Sequence, residues 1–381
     1  KELVSDVQII EGAHLSGYSF PPNDRPFTIP FVLRNQDSDD FASSRFYRMT
    51  HEQKKYSNFE YKKQGLKKIT LRNRNNESHQ DVYVVDQNTF AEIDRTPFAY
   101  WFGPRILDLF EKFEPLDEYS DIIGGVSTGD NDHHLRKYWE VPDHLIGEDY
   151  EWFVKSGENK DYYDKLDTTV RWENEGENIA EYGDKNNKNY QGLSNINMHS
   201  GEGVVFRNFG STFTGKLRPS DSIFDKSVYQ ISLNIDVSNR CLLGYLNSNL
   251  YRSIIQGINP SLNFNPSDAG AVPFKLSFDN SNEIESLVEK CIQSRKQQFE
   301  TYESAREFDG SCFPDLSQIG DLVYEFLYKE EKYEANIAVL HSKLDEYIYK
   351  EYDVPERKRD DLNNTLSSNY IQFPYITSEN N

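Results

Sequence analysis

The chain has 381 residues, 36% hydrophobic and 14% aromatic, with a formal charge of -21. That apolar content is enough for two or three packed units and excludes a disordered chain. No run of eighteen apolar residues occurs and the first thirty residues lack the basic-then-apolar order of a signal peptide, so a cytoplasmic protein with no membrane partner is expected. Cys241, Cys291 and Cys312 are odd in number and show no C-x-x-C spacing, which argues against a disulfide framework or a zinc site. Lys1 rather than Met stands first, and the chain is therefore expected to be a piece of something longer.

Near the N-terminus, "FTIPFVLR" and "ASSRFYRM" flank the polar "NQDSDD" and predict two strands joined by a turn. Residues 45 to 74 then carry ten Lys or Arg against Glu52 and Glu60 alone, a local net of +8. Such a stripe, with Lys54, Lys55, Lys62 and Lys63 at its centre, can steer a polyanion even in an acidic chain; it can equally be a solvated hairpin edge blunted by lysines. A further strand is predicted at "QDVYVVDQ", and "GPRILDLFEKF" turns helical with Pro104 at its start and Ile106, Leu107, Leu109, Phe110 and Phe113 on one face. From Gly124 to about Asn280 short strands alternate with Gly, Asn, Asp and Ser clusters, interrupted by the helical "NRCLLGYLNSNLYRSIIQGI". The tail is helical again, and Phe326, Tyr333, Ile337, Leu340, Leu344 and Ile348 define one stripe of its last long helix.

The stretch "GGVSTGDNDHHLRKYWEV", Gly124 to Val141, concentrates the chemistry. A metal reading of Asp130, Asp132, His133 and His134 fails on spacing, since no H-x-x-x-H supports the adjacent histidines and His134 and Leu135 break the calcium-loop pattern. The histidines are expected to be solvated. Pro142–Asp143 with Glu158 and Lys160, and Pro314–Asp315 with Glu330 and Lys332, match a magnesium-nuclease pattern in letters only, because the second Glu-x-Lys falls in a helix. The glycines of "HSGEGVVFRNFGSTFTG" follow no strand-to-helix order and make a poor phosphate cradle. What remains suits DNA. The Thr128 hydroxyl and neighbouring amides can hold a phosphate, Gly129 permits close backbone approach, and Asn131 can pair bidentately with an adenine edge. Arg136 and Lys137 add phosphate or guanine contacts, while Tyr138 and Trp139 are expected in the core.

In the order of these features the chain resembles the TaqI-like adenine-specific DNA methyltransferases, through "GGVSTGDND", and more closely the PglX methyltransferases of BREX phage-defence systems. The likeness runs from "IDRTPFAYWFGPRILDLFEKF" through "WFVKSGENKDYY", "TVRWENEGENI" and "FTGKLRPSDSIFD" to "LLGYLNSNLYRSIIQGINPSLNFNPSDAGAVPF", then "CIQSRKQQFETYESAREF" and the last helix; "TIPFVLRN" resembles the end of the family's catalytic domain. It implies an α+β chain: the edge of an α/β methyltransferase domain with a basic connector over residues 1–95, a β-rich target-recognition domain over 96–280, and C-terminal long helices over 281–381. It also adds Lys216, where the family often carries arginine, and Arg218 to the DNA-contacting set. The intact enzyme would transfer a methyl group from S-adenosylmethionine to adenine N6 in double-stranded DNA, with other defence-system proteins open as partners. Adenine methylation needs a Gly-rich turn and a [D/N/S]-P-P-[Y/F/W] loop, and the one Pro-Pro here, "SFPPND", does not fit. The cofactor is thus expected upstream of this chain, which alone would hold none and be inactive. A bifunctional restriction-modification enzyme and a non-enzymatic specificity subunit are the alternatives.

Overall fold

In a computed structural model the described residues are 7–14, 29–34, 43–48, 82–87, 100, 102, 104–158, 160–186, 193, 201–259, 262–312, 319–356 and 359. The four lysines of the basic stripe lie outside them. The architecture is α+β, and contacts divide the chain into two units, Lys1–Phe113 and Glu114–Asn381. The C-terminal helices thus belong with the β-rich part, and the division falls after Phe113 where the sequence suggested boundaries near 95 and 280.

In the first unit, β1 (Gln8–His14), β2 (Phe31–Arg34), β3 (Ser44–Arg48) and β4 (Val82–Val85) form one sheet in the order β2-β1-β3-β4. The two strands expected to form a hairpin are therefore not neighbours: β1 lies between them, antiparallel to β2 and parallel to β3. Its "QIIEGAH" has too little alternation to read as a strand beforehand. Buried Ile9, Phe46 and Tyr100 make the core, with the Phe46 and Tyr100 rings stacked at 4.4 Å. Buried Gln87 takes the Ile9 N–H at 2.7 Å and donates to the Val7 carbonyl at 2.8 Å, so the strand edge is paired by a side chain. Helix α1 (Pro104–Lys112) starts at proline, whose missing N–H costs nothing there, and buries Ile106 and Leu109.

The second unit stacks two sheets. Strands β5 (Ser120–Gly124), β9 (Gly203–Arg207), β10 (Gly215–Arg218) and β12 (Val228–Leu233) form one in the order β10-β9-β12-β5; β6 (Leu135–Lys137), β7 (Tyr150–Val154), β8 (Thr168–Arg171) and β11 (Ser222–Phe224) form the other in the order β11-β7-β8-β6. Period-two alternation decides which face each side chain serves. Trp152, Val154 and Phe224 meet Val205 and Val228 between the sheets, whereas Phe153, Val170 and Ile223 turn the other way against Ile179. Ile179 comes from α3 (Glu177–Asn186), α2 being the single turn Asn131–His134. The helical run expected near 239–258 is two helices, α4 (Asn239–Asn247) and α5 (Asn249–Ile258). Ser248 ends one and caps the other, its extended backbone (φ -63°, ψ 152°) breaking the run while its hydroxyl oxygen accepts from the Tyr251 N–H at 3.2 Å.

After α6 (Pro266–Gly270), α7 (Ser281–Phe299) and α8 (Ile319–Glu351) pair as long helices. In α8 the expected stripe is buried at Ile337, Leu344 and Ile348 and half-buried at Phe326, Tyr333 and Leu340; its first turns stay exposed, Ile319 by 83%. At its far end the buried Glu351 carboxylate accepts from Lys275 Nζ at 2.5 Å, Asn280 N and Nδ2 both at 2.7 Å, and Asp279 N at 3.1 Å, which fixes the chain entering α7. Burial alone would raise its pKa, but these donors hold it below the ordinary carboxylate value. Glu351→Gln should cost about 1–3 kcal/mol at neutral pH. A depressed carboxyl contributes stability above its unfolded pKa and loses it as pH falls; thermal melts of wild type and variant should therefore converge as the pH drops below the unfolded value of 4.5.

Candidate nucleic-acid interface

Strand register places several loops at one end of the β10-β9-β12-β5 sheet. Gly124 of β5 pairs with Tyr229 of β12, Val228 pairs with Arg207 of β9, and Phe206 pairs with Gly215 of β10. The segment after β5, the segment before β12 and the β9–β10 loop therefore leave the sheet side by side. Backbone bonds tie them further: Lys226 N donates to the Val126 carbonyl at 3.0 Å and Asn208 N to the Ser227 carbonyl at 3.0 Å. Gly125 is obligatory in this arrangement, because a Cβ there would strike the Phe224 and Asp225 carbonyl oxygens.

The turn that follows is ordered by its own side chains. Buried Thr128 donates its hydroxyl to Asn131 Oδ1 at 2.7 Å, which ties down the amide of this exposed residue while leaving its NH₂ and one oxygen lone pair unused by that bond. Gly129 sits at φ +73°, a left-handed conformation that favours glycine. Asp130 caps α2 through the His133 N–H at 3.1 Å and accepts the Tyr182 hydroxyl at 3.0 Å; these two bonds hold its carboxyl below the usual carboxylate range. Exposed Arg136 donates to the Leu135 and Asp132 carbonyls at 2.6 and 3.0 Å. Lys137 pairs with Asp167 at 2.8 Å and lies 5.9 Å over the Trp139 ring. Of the two aromatics expected in the core, Tyr138 packs against Trp152 while Trp139 is 55% exposed.

His134 departs from the expectation of a solvated histidine. It is 1% exposed, edge-on to Tyr182 and His133, and its ring nitrogens have no hydrogen-bond partner among the described residues. Burial, and then neighbouring His133, lowers its pKa and keeps the ring neutral. His133 instead stacks on Tyr182 with centroids 4.0 Å apart. The described residues hold no metal-ligating cluster of three or more His, Cys, Asp or Glu. Lys160, from one nuclease-like pattern, contacts Glu330 and Glu334 at 3.4 and 3.5 Å.

Lys216 and Arg218 do not face a ligand, and their expected place among the DNA contacts is corrected. Lys216 is buried, its Nζ 2.6 Å from Asp164 Oδ2 and 2.8 Å from the Glu158 carbonyl. Arg218 is 0% exposed and donates to Gln230 Oε1 and to the Pro219, Ser222 and Gly201 carbonyls at 2.5–3.1 Å, joining four chain segments; burial lowers its pKa to about 10. Both faces of β10 are covered, all four of its residues being buried, and that explains both. Sequence reasoning missed exposed Lys226, which stands at the same sheet end as Thr128; no motif marked it, and only strand register brings it there.

The groove between α7 and α8, 530 Å³ and lined by Leu287, Lys290, Lys343, Tyr347 and Lys350 among others, opens broadly to solvent and has no glycine turn to receive the carboxylate or ribose of S-adenosylmethionine. No helix among the described residues is long and apolar enough to cross a membrane.

These features coincide with a likeness to an adenine-specific methyltransferase. The chain is 25% identical over 328 residues to the adenine-specific methyltransferase PglX of Lacticaseibacillus casei (strain Zhang), a match covering 81% of this chain and 26% of that protein. The chain thus spans about a quarter of the curated relative it matches. No family profile matches it. Among solved structures it is similar to the Type IIL restriction-modification enzyme MmeI, determined in complex with DNA, at a TM-score of 0.47 and 10% identity over 94% of this chain and 46% of that one. At that distance no residue correspondence is drawn.

Two variants separate fold from binding. Lys216→Ala leaves Asp164 buried without its partner and should cost about 3–5 kcal/mol in denaturant unfolding; if Lys216 contacts DNA instead, stability will be unchanged and affinity will fall. His134→Leu removes an unsatisfied buried ring and should hold or raise stability by about 1–3 kcal/mol. The unfolded chain takes up a proton near pH 6.5 that the folded ring refuses, so the advantage over wild type should widen as the pH falls below that value; a narrowing gap would contradict the burial argument.

Proposed function

We propose that this chain is the target-recognition portion of a site-specific adenine-N6 DNA methyltransferase of a phage-defence or restriction-modification system. The observation that carries this reading is the Thr128–Gly129–Asn131 turn: the amide of an exposed residue tied down by a buried hydroxyl, on a tight backbone at the end of a rigid sheet. A preset amide of this kind suits the donor and acceptor of an adenine edge in the major groove. Likeness to an adenine-specific methyltransferase over 81% of the chain supports the reaction class. The sequence holds no Asn-Pro-Pro-aromatic loop, which supports S-adenosylmethionine being bound elsewhere in the intact protein, upstream of this region.

Asp130 and Asp132 flank Asn131, so that residue is better suited to choosing a base than to gripping phosphates. Phosphate contact falls to Arg136 and Lys226 at the turn and to Lys54, Lys55, Lys62 and Lys63 in the basic stripe.

The test is the methylation pattern that the intact protein leaves on plasmid DNA. Asn131→Ala should relax choice at a single base position, losing about 1–3 kcal/mol of discrimination there. Charge reversal of Lys54, Lys55, Lys62 and Lys63 should weaken binding to all duplexes alike and flatten the salt dependence. If Asn131→Ala leaves both the motif and the relative rates on near-sites unchanged, this turn does not read bases.

A further inference from the structure

Three aromatic residues near the DNA-reading end of the sheet are buried: Phe206, Phe213 and Phe264 pack together, with ring centroids 5.0 Å apart for Phe206–Phe213 and 5.3 Å for Phe213–Phe264. Phe209, in the same β9–β10 loop, is 56% exposed. Its exposure does not come from a loose loop. Asn208 N bonds the Ser227 carbonyl at 3.0 Å, Gly210 N bonds the Leu262 carbonyl at 2.9 Å, and Phe264 N bonds the Asn208 carbonyl at 2.8 Å, with a β-bridge between Phe209 and Asn263. The phenyl ring therefore stands on a two-stranded ribbon held at three points. Leu262, on the facing strand, is also exposed.

A phenyl ring has only two side-chain torsions, and on a backbone already held in place it loses little conformational freedom when it is covered, so it is a ready-made contact. Its position indicates what covers it. Phe209 follows β9, and the Thr128–Asn131 turn follows β5, two strands away in the order β9-β12-β5. Neighbouring strands lie about 4.8 Å apart, which separates the two loop origins by roughly 10 Å. Successive bases on a strand are about 3.4 Å apart, so that offset is about three base steps. Between them, on the segment before β12, lies exposed Lys226, a cation that matches a polyanionic partner.

We propose that Phe209 is an apolar wedge that inserts at a base step of duplex DNA about three steps from the base pair contacted by Asn131. This rests on the target-recognition reading above and adds to it a contact of a different kind: amide and cations choose and hold, and the ring opens a base step. Side chains of this type unstack a step and kink the helix. The energy of doing so depends on the step, so the wedge also supplies sequence preference at a pair that no polar group of this loop touches.

The experiment uses the intact protein and duplexes bearing the motif mapped from its own plasmid methylation, with 2-aminopurine placed at successive positions. Wild-type protein should brighten the probe at the methylated adenine, which leaves the stack for the chemistry, and at one further step, offset from the Asn131-dependent position, where the wedge enters. Phe209→Ala should abolish the signal at that further step and weaken binding about 10- to 100-fold with an unchanged thermal midpoint, and Phe209→Leu, still a wedge, should restore much of both. Specific binding by wild type with equal affinity and equal probe signal for Phe209→Ala would overturn the wedge alone. Retained DNA binding and signal, with loss of association with another protein of the defence system, would also overturn it and make the ring a protein-docking contact. If wild type binds no duplex specifically, the target-recognition reading falls first and the wedge with it.

Discussion

Much of the second unit is held together by the segment between β7 and β8, which is pinned by two buried ion pairs. Asp161 meets Arg252 of α5 at 2.8 Å, and Asp164 meets Lys216 of β10 at 2.6 Å; all four side chains are nearly excluded from water. Separated charges in such a place would be costly, and each pair is tolerated because its remaining donors and acceptors are also used. Arg252 donates to the Phe213 carbonyl, and Lys216 to the Glu158 carbonyl. Between the two aspartates, Tyr162 hydrogen-bonds His341 of α8 at 2.6 Å, in a site where burial drives the imidazole down to about 3 and neighbouring Asp345 up to about 7. These buried groups thus favour their uncharged forms, leaving the balanced pairs to carry the charge.

This arrangement explains why positions that look like ligand contacts in sequence are structural. A lysine and an arginine two residues apart on a short strand resemble a phosphate grip, yet both point inward because the Tyr162 segment and the Gln230 side chain cover that strand. The L-N-S element near residue 247 likewise does architectural work: the Asn247 amide pairs with both the N–H and the carbonyl of Gly215, at 2.8 and 3.0 Å, and Ser248 turns the chain between two helices. Motif specificity here reflects the demands of a buried polar interior more than of a ligand.

The sequence was most legible where a local rule was sufficient. Proline at the start of α1, the three- and four-residue spacing of α8 and the β-branched runs that carry β2 and β4 all predict what is found. It was less legible where partners are distant in the chain. The placement of β1 between β2 and β3 depends on pairing across tens of residues, and the burial of His134 on a ring forty-eight positions away, Tyr182. In the candidate site, Thr128, Gly129 and Asn131 were visible because their geometry is set within four residues, whereas Lys226 and Phe209 join them only through sheet register. No periodicity could have supplied that.

The α7 side chains Arg295 and Gln298 reach across to Glu334 of α8, and Arg295 also donates to the Asp161 backbone carbonyl at 3.3 Å, so the paired helices end on the same segment that locks the β-sheets. This sets the unit of exchange between related proteins. A chimera that moved only the β-rich part onto another scaffold would sever Asp161 from α7 and Tyr162 from α8, exposing ion pairs built for a dry interior. Recombination that preserves folding has to carry residues from about 114 through the end of α8 as one cassette.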